Sequence, residues 1–281
     1  MRRSSCASWL TLAAEFPMPL PQWLNRPWTR GASPKSIGVG KNTGTGEYRV
    51  EAVEPRMLLS AYTFTSGSLG PPEPMSPVTL DSHGDLFGTT AGGGTDGDGT
   101  VYEIPYGSSA VTTLANFDFV NGDGPRGNVV IDSQGNLFGT TSGGGSDHEG
   151  VVYEIGFGTK AITTLASFDG TDGSQPLGGL ALDSSSNLFG TTETGGTGYD
   201  GTVYEIASGG TAITTLVNFD GTNGNDPVAG ITLDASGDLF GTTAYGGTGK
   251  DGTVFEIPHG SGGLTTLLTV AQRFSPKIGQ L

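Results

Sequence analysis

An all-β propeller is the fold this sequence predicts, and three observations carry the prediction. The string Leu-Phe-Gly-Thr-Thr occurs at Leu86–Thr90, Leu137–Thr141, Leu188–Thr192 and Leu239–Thr243, each copy 51 residues after the last. Pro74, Pro125, Pro176 and Pro227 keep the same register, as do Glu103, Glu154, Glu205 and Glu256. Within each unit, four short β-type runs are separated by Gly, Asp, Asn and Ser. A fixed period of this size marks an array, and four antiparallel strands in about 50 residues make a propeller blade. A β-solenoid is the competing array, but its coils are usually shorter.

The third unit shows the elements. Strand a is expected over Leu180–Asp183, entered through Pro176-Leu177-Gly178-Gly179. Strand b follows over Leu188–Thr192, strand c over Val203–Ile206 and strand d over Ile213–Phe219. These runs are rich in β-branched and aromatic residues and bounded by turn formers. No segment keeps a 3.6-residue apolar period, and there is no room for the helical crossovers a parallel sheet requires.

Composition agrees. Glycine and proline make up 66 of 281 residues, close to the range where disorder becomes the default reading. Low-complexity glycine has no reason to hold a 51-residue register, however, so the chain reads as folded. The apolar fraction is only 34% and lies in short runs, as a thin core repeated many times requires.

Domain organisation follows charge and pattern. Residues 1–60 read as a leader and linker, and 61–281 as the repeat domain, with units at about 74–124, 125–175, 176–226 and 227–277. The start, Met1-Arg2-Arg3 followed by a short apolar run to Ala14, has the outline of a signal peptide, and residues 15–50 read as linker. Residues 1–56 carry eight Lys/Arg against four Asp/Glu, net +4; residues 57–281 carry five against 24, net −19. So acidic a domain repels phosphate backbones, which argues against nucleic-acid binding, and it does not suit anionic lipid surfaces. The one cysteine, Cys6, lies outside the repeats, which excludes an intrachain disulfide. No apolar run reaches the ~18 residues of a membrane span.

Two resemblances follow. Glu54-Pro55-Arg56-Met57-Leu58-Leu59-Ser60-Ala61, within residues 50–61, resembles the LEPR-XLL motif of exported bacterial proteins, with Val53 where that motif usually has Leu. It implies export. The repeated Leu-Phe-Gly-Thr-Thr, the Gly-Gly after it and Gly-Thr-Val-(Tyr/Phe)-Glu-Ile resemble the GloVer-type, choice-of-anchor tandem repeat over about residues 74–270. That family implies an exported, surface-associated repeat protein and brings no established catalytic residues. Ala271–Leu281 shows no sorting motif or apolar anchor.

Strand parity points to a site. Strands alternate in direction, so the a–b and c–d turns lie at one end of every blade and the b–c and d–a loops at the other. The second set is long and acidic, holding Asp96, Asp98, Asp147, Glu149, Asp169, Asp172, Asp200 and Asp251. Function in repeat folds concentrates on such a loop face. Asp96-Gly97-Asp98 and Asp169 through Asp172 offer hard oxygen ligands suited to Ca²⁺. The same residues are preferred turn formers, and a Ca²⁺ ion needs about six or more oxygens where each loop supplies one or two carboxylates. The strand-c Glu, present in every unit, is expected to bond a Thr of a neighbouring strand rather than to catalyse.

One catalytic site would break the repeat symmetry. The residues that break it are His83, His148, His259, Arg126, Lys160, Glu193 and Lys250. No His pair has metal-ligand spacing, no Gly-x-Ser-x-Gly elbow occurs, and the Gly runs lack the Lys-Ser/Thr of a phosphate loop. The expectation is a non-catalytic, extracellular or cell-surface binding or structural module for a glycan, matrix or protein ligand. The alternative is a hydrolase or lyase acting on a polysaccharide or lactone through acidic loop residues. Tyr62–Phe64 reads as an extra strand d before the first unit, and unmatched strand edges of this kind could pair two copies.

Overall fold

The computed structural model describes residues 39–41, 48–50 and 73–270, apart from 109 and 262. Its contacts divide the chain into two units, Met1–Leu58 and Leu59–Leu281. In the first, β1 (Val39–Lys41) pairs antiparallel with β2 (Tyr48–Val50), a hairpin where linker was expected. Residues 51–61 of the export-like motif, Tyr62–Phe64 and Ala271–Leu281 lie outside the described residues.

The second unit is four four-stranded antiparallel sheets, one per repeat. The first blade comprises β3 (Thr79–Leu80), β4 (Leu86–Thr90), β5 (Thr100–Ile104) and β6 (Thr112–Asn116). The second has β7 (Val130–Ile131), β8 (Leu137–Thr141), β9 (Val151–Ile155) and β10 (Ile162–Ser167). The third has β11 (Ala181–Leu182), β12 (Leu188–Thr192), β13 (Thr202–Ile206) and β14 (Thr214–Asn218). The fourth has β15 (Thr232–Leu233), β16 (Leu239–Thr243), β17 (Thr253–Ile257) and β18 (Thr265–Thr269). Each sheet runs in simple sequence order, so consecutive strands are neighbours.

Strand a is only two residues long in every blade, and in blades two and three the segment entering it runs against the next blade's backbone. A Cβ on Gly178 would strike the Ala229 carbonyl, and one on Gly127 would strike the Gly178 carbonyl. Proximity of this kind admits glycine and little else.

Alternation along each strand gives every blade two faces. In blade three, Leu188, Gly190, Tyr204 and Ile206 face blade two, the upstream side. Phe189, Thr191, Val203 and Val217 face blade four, the downstream side. Three apolar clusters fill the three junctions. The first joins Val101, Ala115 and Phe117 to Val129, Leu137, Tyr153 and Ile155. The second joins Val152, Ala166 and Phe168 to Leu180, Leu188, Tyr204 and Ile206. The third joins Val203, Val217 and Phe219 to Ile231, Leu239, Phe255 and Ile257. The core is thus a row of thin layers between sheets. Edge-on aromatic pairs cross each junction, with centroids 5.0 Å apart for Phe117–Tyr153 and Phe168–Tyr204 and 5.3 Å for Phe219–Phe255.

The two threonines of Leu-Phe-Gly-Thr-Thr have separate tasks. The first points downstream and donates to the next blade's backbone: Thr89 Oγ1 to Gly127 O at 3.2 Å, Thr140 to Gly178 at 3.2 Å, and Thr191 to Ala229 at 2.8 Å. The second closes the b–c loop, as when Thr192 Oγ1 donates to Thr194 O at 2.9 Å. Thr90, Thr192 and Thr243 also hydrogen-bond through Oγ1 to the hydroxyl that opens strand c, that of Thr100, Thr202 and Thr253. In blade two that position is Val151, which lacks the hydroxyl but keeps the amide bond to Thr141 Oγ1, at 3.3 Å, that Thr202 and Thr253 make to Thr192 and Thr243.

Candidate functional site

The b–c and d–a loops do share one end of the blades, and they are laced together. Gly124 N donates to Asp98 O at 3.0 Å, Gln175 N to Glu149 O at 2.9 Å, and Asp226 N to Asp200 O at 3.1 Å. These bonds hold Gln175 and Asp226 at φ of 55° and 54° directly before proline, a left-handed conformation that costs a non-glycine residue energy. The tips of the b–c loops are also left-handed, with Gly97 in the first blade and His148, Tyr199 and Lys250 in the others. Three different side chains, those of His148, Tyr199 and Lys250, therefore project from one structural position, and the first blade has none there. The His148 ring lies 5.0 Å from that of Phe119, tilted by 37°, an aromatic ring where the next two repeats have Gly170 and Gly221.

The loop carboxylates are largely occupied with their own backbone. Asp169 accepts from Thr171 N and Oγ1 and from Asp172 N, and these bonds hold its carboxyl below the usual range. Asp172 accepts from the Asp169 amide at 3.1 Å, yet burial pushes its carboxyl up. Asp96 accepts from Thr95 Oγ1 at 3.0 Å, Asp147 from Ser146 Oγ at 2.7 Å, and Glu149 from Ser174 Oγ. Asp98 is raised by burial and then by the charges of Asp123, Asp96 and Asp118. Asp226 is raised by burial and then by Asp200. Asp251 closes its loop through a bridge with Gly246. Among the described residues no three of His, Cys, Asp and Glu stand close enough to hold a metal ion. Turn chemistry accounts for most of these side chains, and the carboxylates that do stand near one another are Asp98 with Asp96, Asp118 and Asp123, Asp169 with Asp172, and Asp200 with Asp226.

The opposite end holds a cavity that loop acidity did not point to. It has a volume of about 880 Å³ and lies between blades one and two, at the a–b and c–d turns. Its floor is apolar, from Leu80, Phe87, Leu114, Ile131, Leu137 and Ile155; its rim carries Asp81, His83, Asp85, Glu103, Asp132, Phe157 and Lys160. The turns around it are fixed by one recurring device. Asp81 accepts from the amides of His83 and Asp85, and Asp132 from those of Gln134 and Asn136. The next carboxylate or amide then reaches the c–d turn: Asp85 Oδ1 accepts from Tyr106 N at 2.6 Å and Asn136 Oδ1 from Phe157 N at 2.9 Å. Asn187 and Asp238 repeat this contact in blades three and four. A rigid turn therefore presents Phe157, which is 76% exposed.

The rim is electrostatically unbalanced. Glu103 extends from β5 into the cavity, and none of the four strand-c glutamates makes a side-chain hydrogen bond among the described residues, so the expected bond to a neighbouring Thr is not found. Burial, then the charges of Asp85 and Asp81, push the Glu103 carboxyl up, and Lys160 opposes them. Burial acts to raise Asp81 too, but hydrogen bonds from Asp85, His83 and Gly84 outweigh it and leave its carboxyl low. The His83 ring stands 3.3 Å from Asp81. His83 and Lys160, two of the symmetry-breaking residues, thus meet at one cavity. Phe157 escaped the sequence reading, although Ser208 and His259 at its register position signal that it varies.

Four antiparallel four-stranded sheets stacked face to face through thin apolar layers define a β-propeller-type repeat protein. The chain belongs to the Gloeobacter/Verrucomicrobia repeat family, which matches residues 73–277. No curated protein matches it. Among solved structures, it is similar to a chain of the nidogen/laminin complex, at 18% identity and a TM-score of 0.51, over 70% of this chain and 65% of that one. It is also similar to TolB from Acinetobacter baumannii, at 14% identity and a TM-score of 0.47, over 66% and 41%. A gluconolactonase from Xanthomonas campestris gives 19% and 0.43, over 64% and 55%. The chain spans less than two thirds of each of these structures. The likenesses bear on the fold alone.

Proposed function

We propose that this chain is an exported, extracellular or cell-surface propeller module that binds a glycan, matrix or protein ligand without transforming it. The observation that carries the reading is the cavity between blades one and two. It combines an apolar floor, an exposed aromatic face and unneutralised carboxylates, the composition of a pre-formed ligand site. Phe157, Lys160 and His83 give this junction a chemistry that the repeat does not supply elsewhere. The LEPR-XLL-like string supports export. A panel of soluble oligosaccharides and immobilised matrix proteins, screened by calorimetry and biolayer interferometry, tests the proposal. Phe157→Ala and Lys160→Ala should each weaken the hit at least tenfold with an unchanged melting midpoint. Binding that ignores both substitutions, or no binding to any panel member, sinks it.

A second reading has one observation in its favour. A carboxyl raised by burial and like charge, beside a histidine, is how a general acid is prepared, and Glu103 and His83 share this rim. A lactone or polysaccharide consumed by the wild type and not by Glu103→Gln would replace binding with hydrolysis.

A further inference from the structure

Among the described residues, the three junctions leave one face of the fourth blade without a partner. Leu268 occupies the register position of Ala115, Ala166 and Val217, which are 4%, 6% and 8% exposed, yet Leu268 is 58% exposed. Thr242 matches Thr89, Thr140 and Thr191, which are buried and donate to the next blade; Thr242 is exposed and its hydroxyl makes no hydrogen bond among the described residues. Gly252 lacks the proline ring that packs on Gly99, Gly150 and Gly201 from the following blade.

The complementary half is present on the first blade. Val78 matches Val129, Leu180 and Ile231, which are 0%, 4% and 7% exposed, yet Val78 is 50% exposed. Ser76 stands at the register position of Gly127, the carbonyl acceptor for Thr89, and Pro74 stands at that of Pro125. One chain therefore carries both halves of a junction that it makes three times internally.

We propose that the downstream face of blade four docks the upstream face of blade one in a second copy of this chain, head to tail. Leu268 then packs beside Val78, Thr242 donates to the Ser76 carbonyl, and Pro74 covers Gly252, as their counterparts do inside the chain. The contact is heterologous, so it propagates into a ring or a filament. Burial of leucine and valine from water drives it.

Light-scattering mass of the full chain, from micromolar to millimolar, tests this. The mass should rise with concentration to at least two chains. Leu268→Asp and Val78→Asp change exposed side chains, so both should keep the wild-type circular dichroism, and each alone should stay at the mass of one chain. Mixed, they should form a 1:1 dimer that grows no further, because one good head and one good tail remain. A wild type that stays monomeric, as it would if Tyr62–Phe64 of the same chain covered a face, overturns the proposal. So does a Val78→Asp protein that still dimerises, since that requires tail-to-tail contact.

Discussion

The ring of Tyr204 lies over Gly190, its cross-strand partner, so closely that a Cβ on Gly190 would overlap the tyrosine hydroxyl. The Phe168 ring of the preceding blade meets this ring in a T-shaped arrangement, centroids 5.0 Å apart at 73°. The glycine of Leu-Phe-Gly-Thr-Thr is therefore a seat for the aromatic residue of strand c, and the arrangement recurs at Gly88–Tyr102, Gly139–Tyr153 and Gly241–Phe255. An aromatic laid over a strand glycine covers backbone that glycine leaves bare. Gly190→Ala should cost about 1–3 kcal/mol, the usual penalty of overpacking a filled core. Gly263→Ala, where nothing lies within 4 Å, should leave the midpoint of chemical unfolding unchanged. Equal effects at the two sites would show that the ring can move aside.

Tyr204 and Tyr153 each bury a hydroxyl that has no hydrogen-bond partner among the described residues, and burial pushes both phenols up. Blade four already has Phe255 in this position with the same edge-on neighbour. An unsatisfied buried hydroxyl costs about 1–3 kcal/mol. Tyr204→Phe should therefore be neutral or raise stability by about 1 kcal/mol, in contrast to the loss that truncating a core side chain normally brings. Calorimetric unfolding of the single and the Tyr153/Tyr204 double variant reads this directly, and a clear loss would indicate a water or partner on the hydroxyl.

The repeat made the architecture readable and hid the site. Leu188–Thr192 forms a strand at the expected residues because its alternation, glycine and flanking turns agree. Strand d spans Thr214–Asn218 rather than Ile213–Phe219; the Phe219 amide still donates to Gly201 O at 3.0 Å while its ring packs across the junction. The bulge between Val203 and Tyr204 has no signature in the composition of either residue. Acidic loops drew attention to one end of the blades, where most carboxylates close their own turns. The cavity at the other end depends on His83 meeting Phe157 and Lys160 across 74 and 77 positions of sequence, a relation that only blade-on-blade packing fixes. Departures from the repeat at turn positions were the available signal, read at His83 and Lys160 and missed at Phe157.

Threonine-to-carbonyl bonds between blades give a comparison within one molecule. Thr191→Val keeps the shape of the side chain but leaves the Ala229 carbonyl without its 2.8 Å donor. Loss of about 1 kcal/mol is expected for such a bond. Thr242→Val removes a hydroxyl that makes no bond and should leave dilute protein unaffected. Urea titrations of both variants at low micromolar concentration separate the two. Similar losses would mean that strand b, rather than the junction, requires the hydroxyl.

Asp98 supplies a test in which pH reverses the outcome. Burial and the charges of Asp123, Asp96 and Asp118 raise its carboxyl above the usual 3.8 in the folded protein. A group raised on folding binds more protons in the native state, so its contribution to stability falls as pH climbs through that window and stays unfavourable above it. Asp98→Asn removes the charge and should raise the melting midpoint at pH 7, more at low salt than at high salt, because exposed charges are screened. As pH falls below the raised value, wild-type Asp98 takes up its proton and the two curves should converge. Asp169, lowered by bonds from Thr171 and then Asp172, predicts the opposite sign: Asp169→Asn should destabilise at neutral pH and match the wild type only in acid. Parallel melting curves for both variants between acid and neutral pH decide the point, and an Asp98→Asn protein less stable than wild type at pH 7 would show that its carboxylate is held by a favourable partner.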